Sequence, residues 1–323
     1  MRPRQKISVI LIAYNRKEFL GKALSSVLHQ TLEQSYYEVI VITNFDFEIP
    51  PDSENVVLLR MDGSIGEFVS YGIRVAKGDI ICLLEDDDIF FSQKLERVLE
   101  VFGNEKICYY KNSMVTFSQK DQSNLEFNGF NQYHLLLNFE PRTIRSTRDM
   151  RSFPSTISFL RASILPKLDN MKYVSSEIGA YLYYVLIETG CRMVTDKTIL
   201  TGYRVGHTSD STANKLEEYF NVRKKYLNRS INTYDILLKD LSLQYLRKIV
   251  DCERSFYESQ LYYISGKRPA FSDLINSLRY MRISTNFLIR AVGREIVSLL
   301  IFVFGPKLFK ILIRIQIRLR NYG

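Results

Sequence analysis

Gly78-Asp79-Ile80-Ile81-Cys82-Leu83-Leu84-Glu85-Asp86-Asp87-Asp88-Ile89-Phe90 is the stretch from which the fold is read. Five apolar residues in a row describe a strand buried on both faces, as in the parallel sheet of an α/β protein. The strand stops in four carboxylates. Adjacent like charges repel, and their ionised forms are costly beside a core unless a cation compensates them. Hard divalent cations such as Mg²⁺ and Mn²⁺ choose carboxylate oxygens. Ligands of open α/β sheets also bind beyond the carboxyl ends of strands. The competing reading is structural: Asp88 is a candidate cap for the helix expected over 91–102.

The rest of the chain is consistent with that class. Its 323 residues, 46% hydrophobic and 24% charged, suffice for a full core. A net charge of +9 favours an anionic partner. Cys82, Cys108, Cys191 and Cys252 are scattered with no CxxC pair, which reads as reduced core cysteines of an intracellular protein. The opening Met1-Arg2-Pro3-Arg4-Gln5-Lys6 runs into a strand without an apolar signal region.

Ile7-Ser8-Val9-Ile10-Leu11-Ile12-Ala13 is a β-branched run and a buried strand, ending at Tyr14-Asn15-Arg16. A helix is expected over 17–30, with Asn15 as a candidate cap and Phe19, Leu20, Ala23, Leu24, Val27 and Leu28 on one stripe. Strands at 38–43 and 55–60 follow. Then come the loop Met61-Asp62-Gly63-Ser64-Ile65-Gly66 and a helix to about 76, stopped by Lys77-Gly78. Strand, helix and strand open a parallel sheet with a right-handed crossover.

This order, with Ser8-Val9-Ile10-Leu11-Ile12-Ala13-Tyr14-Asn15-Arg16 and Ala76-Lys77-Gly78 leading to Asp88, resembles the family 2 glycosyltransferases. The resemblance spans roughly 6–212 and implies a GT-A fold: an α/β, Rossmann-like, mostly parallel sheet flanked by helices. It implies an inverting transfer from a nucleotide-diphosphate sugar, assisted by Mn²⁺ or Mg²⁺. Glu85 and Asp87 fall on the D-x-D positions and Asp88 is the following acid; a shift of one residue would select Asp86 and Asp88. Donor contacts are implied at Ile12, Ala13, Tyr14, Arg16, Asn44, Gly66, Asp86 and Arg204. The chain departs from the family at Thr43-Asn44, where Asp-Asp is usual, and at Val69-Ser70, where Arg-Asn is frequent.

Further on, a strand is expected near 107–111 and a polar surface loop over 118–131. Arg142, Arg145, Arg148 and Arg151 read as a solvated basic face, with an acceptor-phosphate contact as the alternative. The segment 153–165 resembles the family's acceptor side. A helix is expected over 173–189. Ser175-Ser176-Glu177 stands where the family carries its catalytic base, so Glu177 is the base candidate and Asp169 the reserve. The alternative for Glu177 is a capping arrangement with Ser175 or Ser176. Short strands are expected at 193–194 and 198–200. Tyr203-Arg204-Val205-Gly206-His207-Thr208-Ser209-Asp210-Ser211 resembles the family's closing motif, which makes His207 a metal or diphosphate ligand.

These readings divide the chain into a catalytic domain at 1–212 (donor half 1–110, acceptor half 111–212), a helical segment at 213–266 and a basic amphipathic tail at 267–323. The tail fits an interfacial helix on an anionic membrane face, at the cytoplasmic side, with a glycan or lipid-linked acceptor. Packing on the domain or a homo-oligomer contact are its alternatives. A nucleotidyltransferase would carry a Gly-rich basic loop after the first strand, which is absent. An inactive, membrane-anchored transferase-like scaffold is the other rival. Nothing in the chain forms a nucleic-acid motif.

Overall fold

The computed structural model describes residues 6–51, 53–118, 125–136, 148–151, 153–205, 216–273, 275–276 and 311. The chain divides into two compact units, Met1–Phe139 with Asp149–Val205, and Glu140–Arg148 with Gly206–Gly323.

The first unit is built on a nine-stranded mixed sheet. Strands β1 (Ile7–Ala13), β2 (Tyr37–Thr43), β3 (Val56–Arg60) and β4 (Ile80–Glu85) form a parallel half in the order β3-β2-β1-β4. All seven residues of β1 are buried, because β1 lies between β2 and β4 and is covered on both faces. Ile7, Val9, Leu11 and Ala13 share one core with Leu20, Ala23, Leu24 and Val27 of helix α1 (Leu20–Leu28) and with Leu95, Val98 and Val101 of α3 (Lys94–Asn104). Ile10 and Ile42 face the other way, onto α2 (Ile65–Val75). There a Cβ on Gly72 would come within 2.7 Å of Ile10, so the glycine lets the helix lie close on the sheet. Ser64 and Glu67 form a reciprocal capping box that starts α2 at the end of its loop.

Beyond β4 the sheet changes character. It continues through β8 (Ile157–Leu160), β6 (Tyr109–Phe117), β9 (Met193–Arg204) and β5 (Ile89–Phe90), with β7 (Tyr133–Leu136) on β9. Only the β6–β9 pair is parallel in this half. The expectation of a mostly parallel sheet therefore holds for the first half and gives way to a mixed one. The two short strands expected near 193–200 are one twelve-residue strand, whose register against β6 shifts between Lys111 and Met114. Helix α4 (Ile178–Glu188) is buried almost all round.

Three expectations are corrected. The first helix begins at Leu20, and Asn15 does not cap it; Asn15 has φ +59° and pairs with Asn44 instead. Cys108 and Cys191 are not free thiols but form a disulfide, their Cα atoms 5.8 Å apart; Cys82 and Cys252 are free. The basic run does not present Arg151 to solvent. Arg151 is buried, bonded to the Tyr184 hydroxyl and stacked on the Tyr183 and Tyr184 rings, because the aromatic face of α4 offers its guanidinium both a partner and a lid. Arg142 and Arg145 lie outside the described residues.

In the second unit, α5 (Leu216–Asp240) and α6 (Gln244–Ile264) form an antiparallel pair joined by three residues. Tyr234 stacks on Tyr257 with ring centroids 5.3 Å apart, and Arg254 pairs with Asp235 and Glu258. Among the described residues no helix is long and apolar enough to cross a membrane. Most of the basic tail at 267–323 lies outside the described residues.

Candidate active site

Parallel pairing sets Ile12 beside Glu85 and Ala13 beside Thr43, so β1, β2 and β4 end on one edge. The loops after them, carrying Tyr14–Arg16, Asn44 and Asp86–Asp88, converge there. Asp86, Asp87 and Asp88 are all buried. The Arg16 guanidinium lies across two of them: Nε is 3.2 Å from both Asp86 oxygens and Nη2 is 2.6 Å from Asp87. Burial works against the charge of Arg16, but the hydrogen bond to Asp86 and the fields of Asp87, Asp86 and Glu85 outweigh it and hold the guanidinium charged.

Asp88 turns inward. One carboxylate oxygen accepts the Arg204 backbone N–H at 3.0 Å. Arg204 in turn donates Nε to the Asp87 carbonyl at 2.9 Å, and its guanidinium lies 4.2 Å from the Phe19 ring centroid and 4.5 Å from that of Phe117. Arg204, expected on the phosphate path, is thus buried and occupied in holding the acids. Asp88 does not cap a helix: α3 starts at Lys94 behind Gln93. Burial and the neighbouring Asp87 raise the Asp88 carboxyl to about 7, against the pull of Ser155 and the Arg204 N–H. Burial, then Asp88, Asp87 and Asp86, raise Glu85 well above its ordinary value. Each carboxylate makes its neighbours harder to ionise.

That arrangement fits a divalent cation. The second Asp88 oxygen is buried with no hydrogen-bond partner among the described residues. No group of three or more His, Cys, Asp or Glu side chains among the described residues is set to hold a metal unaided. Mg²⁺-type sites commonly take one or two carboxylates and complete the shell from substrate phosphates and water. Two neighbouring carboxylates of this turn, Asp87 and Asp88, fit that smaller role. His207 lies outside the described residues.

The other expected donor residues fall into two groups. Tyr14 is exposed at the same edge, edge-on to Phe68 at 5.7 Å, and Asn44 donates to the Asn15 amide oxygen at 2.5 Å while accepting the Asn15 N–H at 2.9 Å. Ile12 and Ala13 are buried in β1, leaving only their backbone for a ligand. Gly66 serves packing: a Cβ there would lie 2.2 Å from the Val174 carbonyl oxygen and 2.5 Å from that of Met171. Ser64 Oγ reinforces this contact by donating to the Lys172 carbonyl at 3.1 Å. The α2 N-terminus therefore seats the segment 171–174 that leads to Glu177.

Glu177 stands at the N-cap of α4 with φ +53°, and its own side chain makes no capping bond there. Among the described residues the non-glycine residues with positive φ are Asn15, Phe153 and Glu177. Such strain gathers where a site over-determines the backbone. Asn15 flanks the acids. Phe153 packs on Tyr203 at 4.8 Å, and the Tyr203 hydroxyl is lifted to about 12 by burial and the fields of Glu85, Asp88 and Asp87. Asp169 is exposed and bonded to Arg74 in the last turn of α2, the opposite end of that helix from Ser64 and Gly66. Sequence reading did not find Phe153, Tyr203 as a wall of the site, Ser155 or Lys94; no periodic signal marks them.

A parallel β–α–β half whose sheet edge ends in clustered carboxylates defines the class: a GT-A glycosyltransferase domain. Residues 8–168 match the family model for glycosyl transferase family 2, and this chain carries a family 2 glycosyltransferase domain. An uncharacterized glycosyltransferase of Nostoc sp. is 32% identical over 108 residues, 30% of this chain and 33% of the relative. The chain spans between a third and a half of the length of the curated relatives it first matches. Two solved structures share the fold. One is mannosyltransferase PcManGT from Pyrobaculum calidifontis in complex with GDP-Man and Mn²⁺ (TM-score 0.54, 11% identity, 97% of this chain and 87% of that one). The other is S. aureus TarS 1-349 in complex with UDP-GlcNAc (TM-score 0.52, 12% identity, 94% and 89%).

Proposed function

We propose that this chain transfers a sugar, with inversion, from a nucleotide-diphosphate donor to an acceptor hydroxyl. The observation that carries the reading is the buried Asp86-Asp87-Asp88 turn, with Arg16 laid across it and one Asp88 oxygen that has no hydrogen-bond partner among the described residues. The nucleoside rests against Tyr14 and the Asn15–Asn44 pair, where the Asn44 amide offers a donor and an acceptor to a base edge. Arg16 leaves the carboxylates for the diphosphate as the donor arrives, since a guanidinium suits phosphate oxygens as well as carboxylate ones. Asp87 is the principal ligand of a Mn²⁺ or Mg²⁺ ion, with Glu85 and Asp88 beside it. When bound, the ion neutralises charge growing on the departing diphosphate. Glu177 accepts the proton of the acceptor hydroxyl on the opposite face of the sugar.

The acceptor is a glycan or a lipid-linked precursor, and the basic tail at 267–323 holds the protein on an anionic membrane face. The net charge of +9 supports that placement. Turnover with a panel of nucleotide sugars, with Mn²⁺ and with chelator, tests the reaction. Glu177→Gln is expected to lose activity by roughly a thousandfold while keeping donor binding. Wild-type turnover by that variant would remove Glu177 as the base. Flotation with phosphatidylserine vesicles tests the tail; equal flotation after deletion of 267–323 would remove it as the anchor.

A further inference from the structure

Lys94, at the start of α3, has no solvent exposure and no assigned role. Its ammonium donates to Asn112 Oδ1 at 3.0 Å, to the Ser155 carbonyl at 2.5 Å and to Thr201 Oγ1 at 3.2 Å, and lies 3.9 Å from the Phe90 ring centroid. Three donors meet three acceptors, all of them neutral. An ammonium buried without an ion pair is costly, and an apolar side chain of the same length would fill the space more cheaply. Folding alone therefore does not account for a lysine here.

What its contacts share is the route to the acids. Ser155 accepts the Glu85 N–H on its hydroxyl at 3.0 Å, and the same hydroxyl favours the charged form of Asp88. The Ser155 carbonyl takes both the Lys94 ammonium and the Thr201 hydroxyl, the latter at 3.1 Å. Thr201 lies on β9, three residues before the Arg204 that holds the Asp87 carbonyl and the Asp88 carboxylate. Asn112 of β6 closes the ring by donating to Thr201 at 3.0 Å. The ammonium thus joins the turn Pro154–Thr156 to β9 alongside the direct Thr201–Ser155 bond, and each of those two elements grips the acidic strand end.

We propose that Lys94 is a positioning residue: by clamping the Ser155 carbonyl and Thr201, it fixes the Glu85–Asp88 turn in the geometry that the diphosphate and its cation require. The proposal rests on the glycosyl-transfer reading for its catalytic consequence, and on the contacts alone for the clamp itself. Lys94→Met and Thr201→Val, which removes one acceptor of the ammonium, separate the two. Both variants are expected to melt cooperatively. Amide exchange across 85–88 should quicken about tenfold in each while β1 and β2 keep their protection. Turnover should fall about tenfold or more, with the donor KM moving less than about threefold, because the loss is one of geometry at the reacting centre.

Unchanged exchange across 85–88 in both variants overturns the clamp, whatever the wild type does as an enzyme. Faster exchange with wild-type kcat overturns the positioning role and leaves Lys94 structural. If Lys94→Met does not fold, Thr201→Val decides by the same two criteria. A wild type that neither transfers sugar nor binds nucleotide with Mn²⁺ defeats the functional reading, and exchange across 85–88 still decides the clamp.

Discussion

The two halves of the sheet are held together by different physics. In β3-β2-β1-β4 the interior is hydrocarbon: β1 is buried along its whole length and meets α1, α3 and α2 through aliphatic side chains. In the half built from β8, β6 and β9 buried side chains such as Ile157, Phe159 and Leu200 are interleaved with charged and hydrogen-bonded ones. Arg97 reaches the fully buried Asp196 at 2.9 Å, and the same carboxylate takes the Tyr110 hydroxyl at 3.0 Å and Thr198 at 2.6 Å. Lys94, Lys111, Asn112 and Arg151 are buried there too. Hydrocarbon contacts are non-directional and tolerate adjustment; charged hydrogen bonds fix positions and fail abruptly when one partner goes. The first half is thus a platform, and Ser155 and Arg204 of the other half fix the acids at its edge.

The comparison can be broken most directly by removing one partner from the polar half. Arg97→Met leaves the Asp196 charge buried, and a loss of about 4 kcal/mol is expected in denaturant unfolding. Leu11→Ala in the hydrocarbon half removes fully buried methyl groups and should cost about 3 kcal/mol. An Arg97→Met variant less destabilised than Leu11→Ala would contradict the division. Gly66→Ala acts where the halves meet: its Cβ would strike the Val174 carbonyl and move the segment leading to Glu177. Turnover should fall about tenfold with little change in nucleotide affinity, read from steady-state kinetics and calorimetry.

A smaller effect concerns pH. The folded Asp88 carboxyl stands at about 7 against an ordinary 3.8. Between those values the folded protein keeps a proton that the unfolded chain has released. The stabilisation is full below 3.8 and is lost as pH rises through about 7. The metal-free Tm should therefore fall across that window, and less so in Asp88→Asn. Mn²⁺ affinity should run the opposite way, rising with pH up to about 7, because a ligating carboxylate must be deprotonated.

The same contrast explains what the sequence discloses. Uninterrupted runs such as Ile7–Ala13 can only be buried strands, so the parallel half and its carboxylate end are legible directly. The polar half is not. Thr195-Asp196-Lys197 reads as a break between two short strands, yet it lies inside β9, because Arg97 and Tyr110, far away in the chain, make the burial of Asp196 tolerable. Lys94 opens an amphipathic helix and looks like a surface lysine until its three acceptors are in place. Arg204 matched a phosphate-path motif, but the rings of Phe19 and Phe117 enclose it. Gly66 matched a donor position and proves to be where two backbones touch. The pairing of Cys108 with Cys191 crosses 83 residues and has no local signal.

The central claim is that the strand end at Glu85–Asp88 holds a cation for a nucleotide diphosphate. Calorimetry of UDP- and GDP-sugars with the full chain, with and without Mn²⁺, tests it when repeated on Asp87→Ala. The account predicts Mn²⁺-dependent binding of at least one donor by the wild type, weakened by about a hundredfold or more in the variant. Equal binding by wild type and Asp87→Ala, or binding indifferent to Mn²⁺, would contradict it.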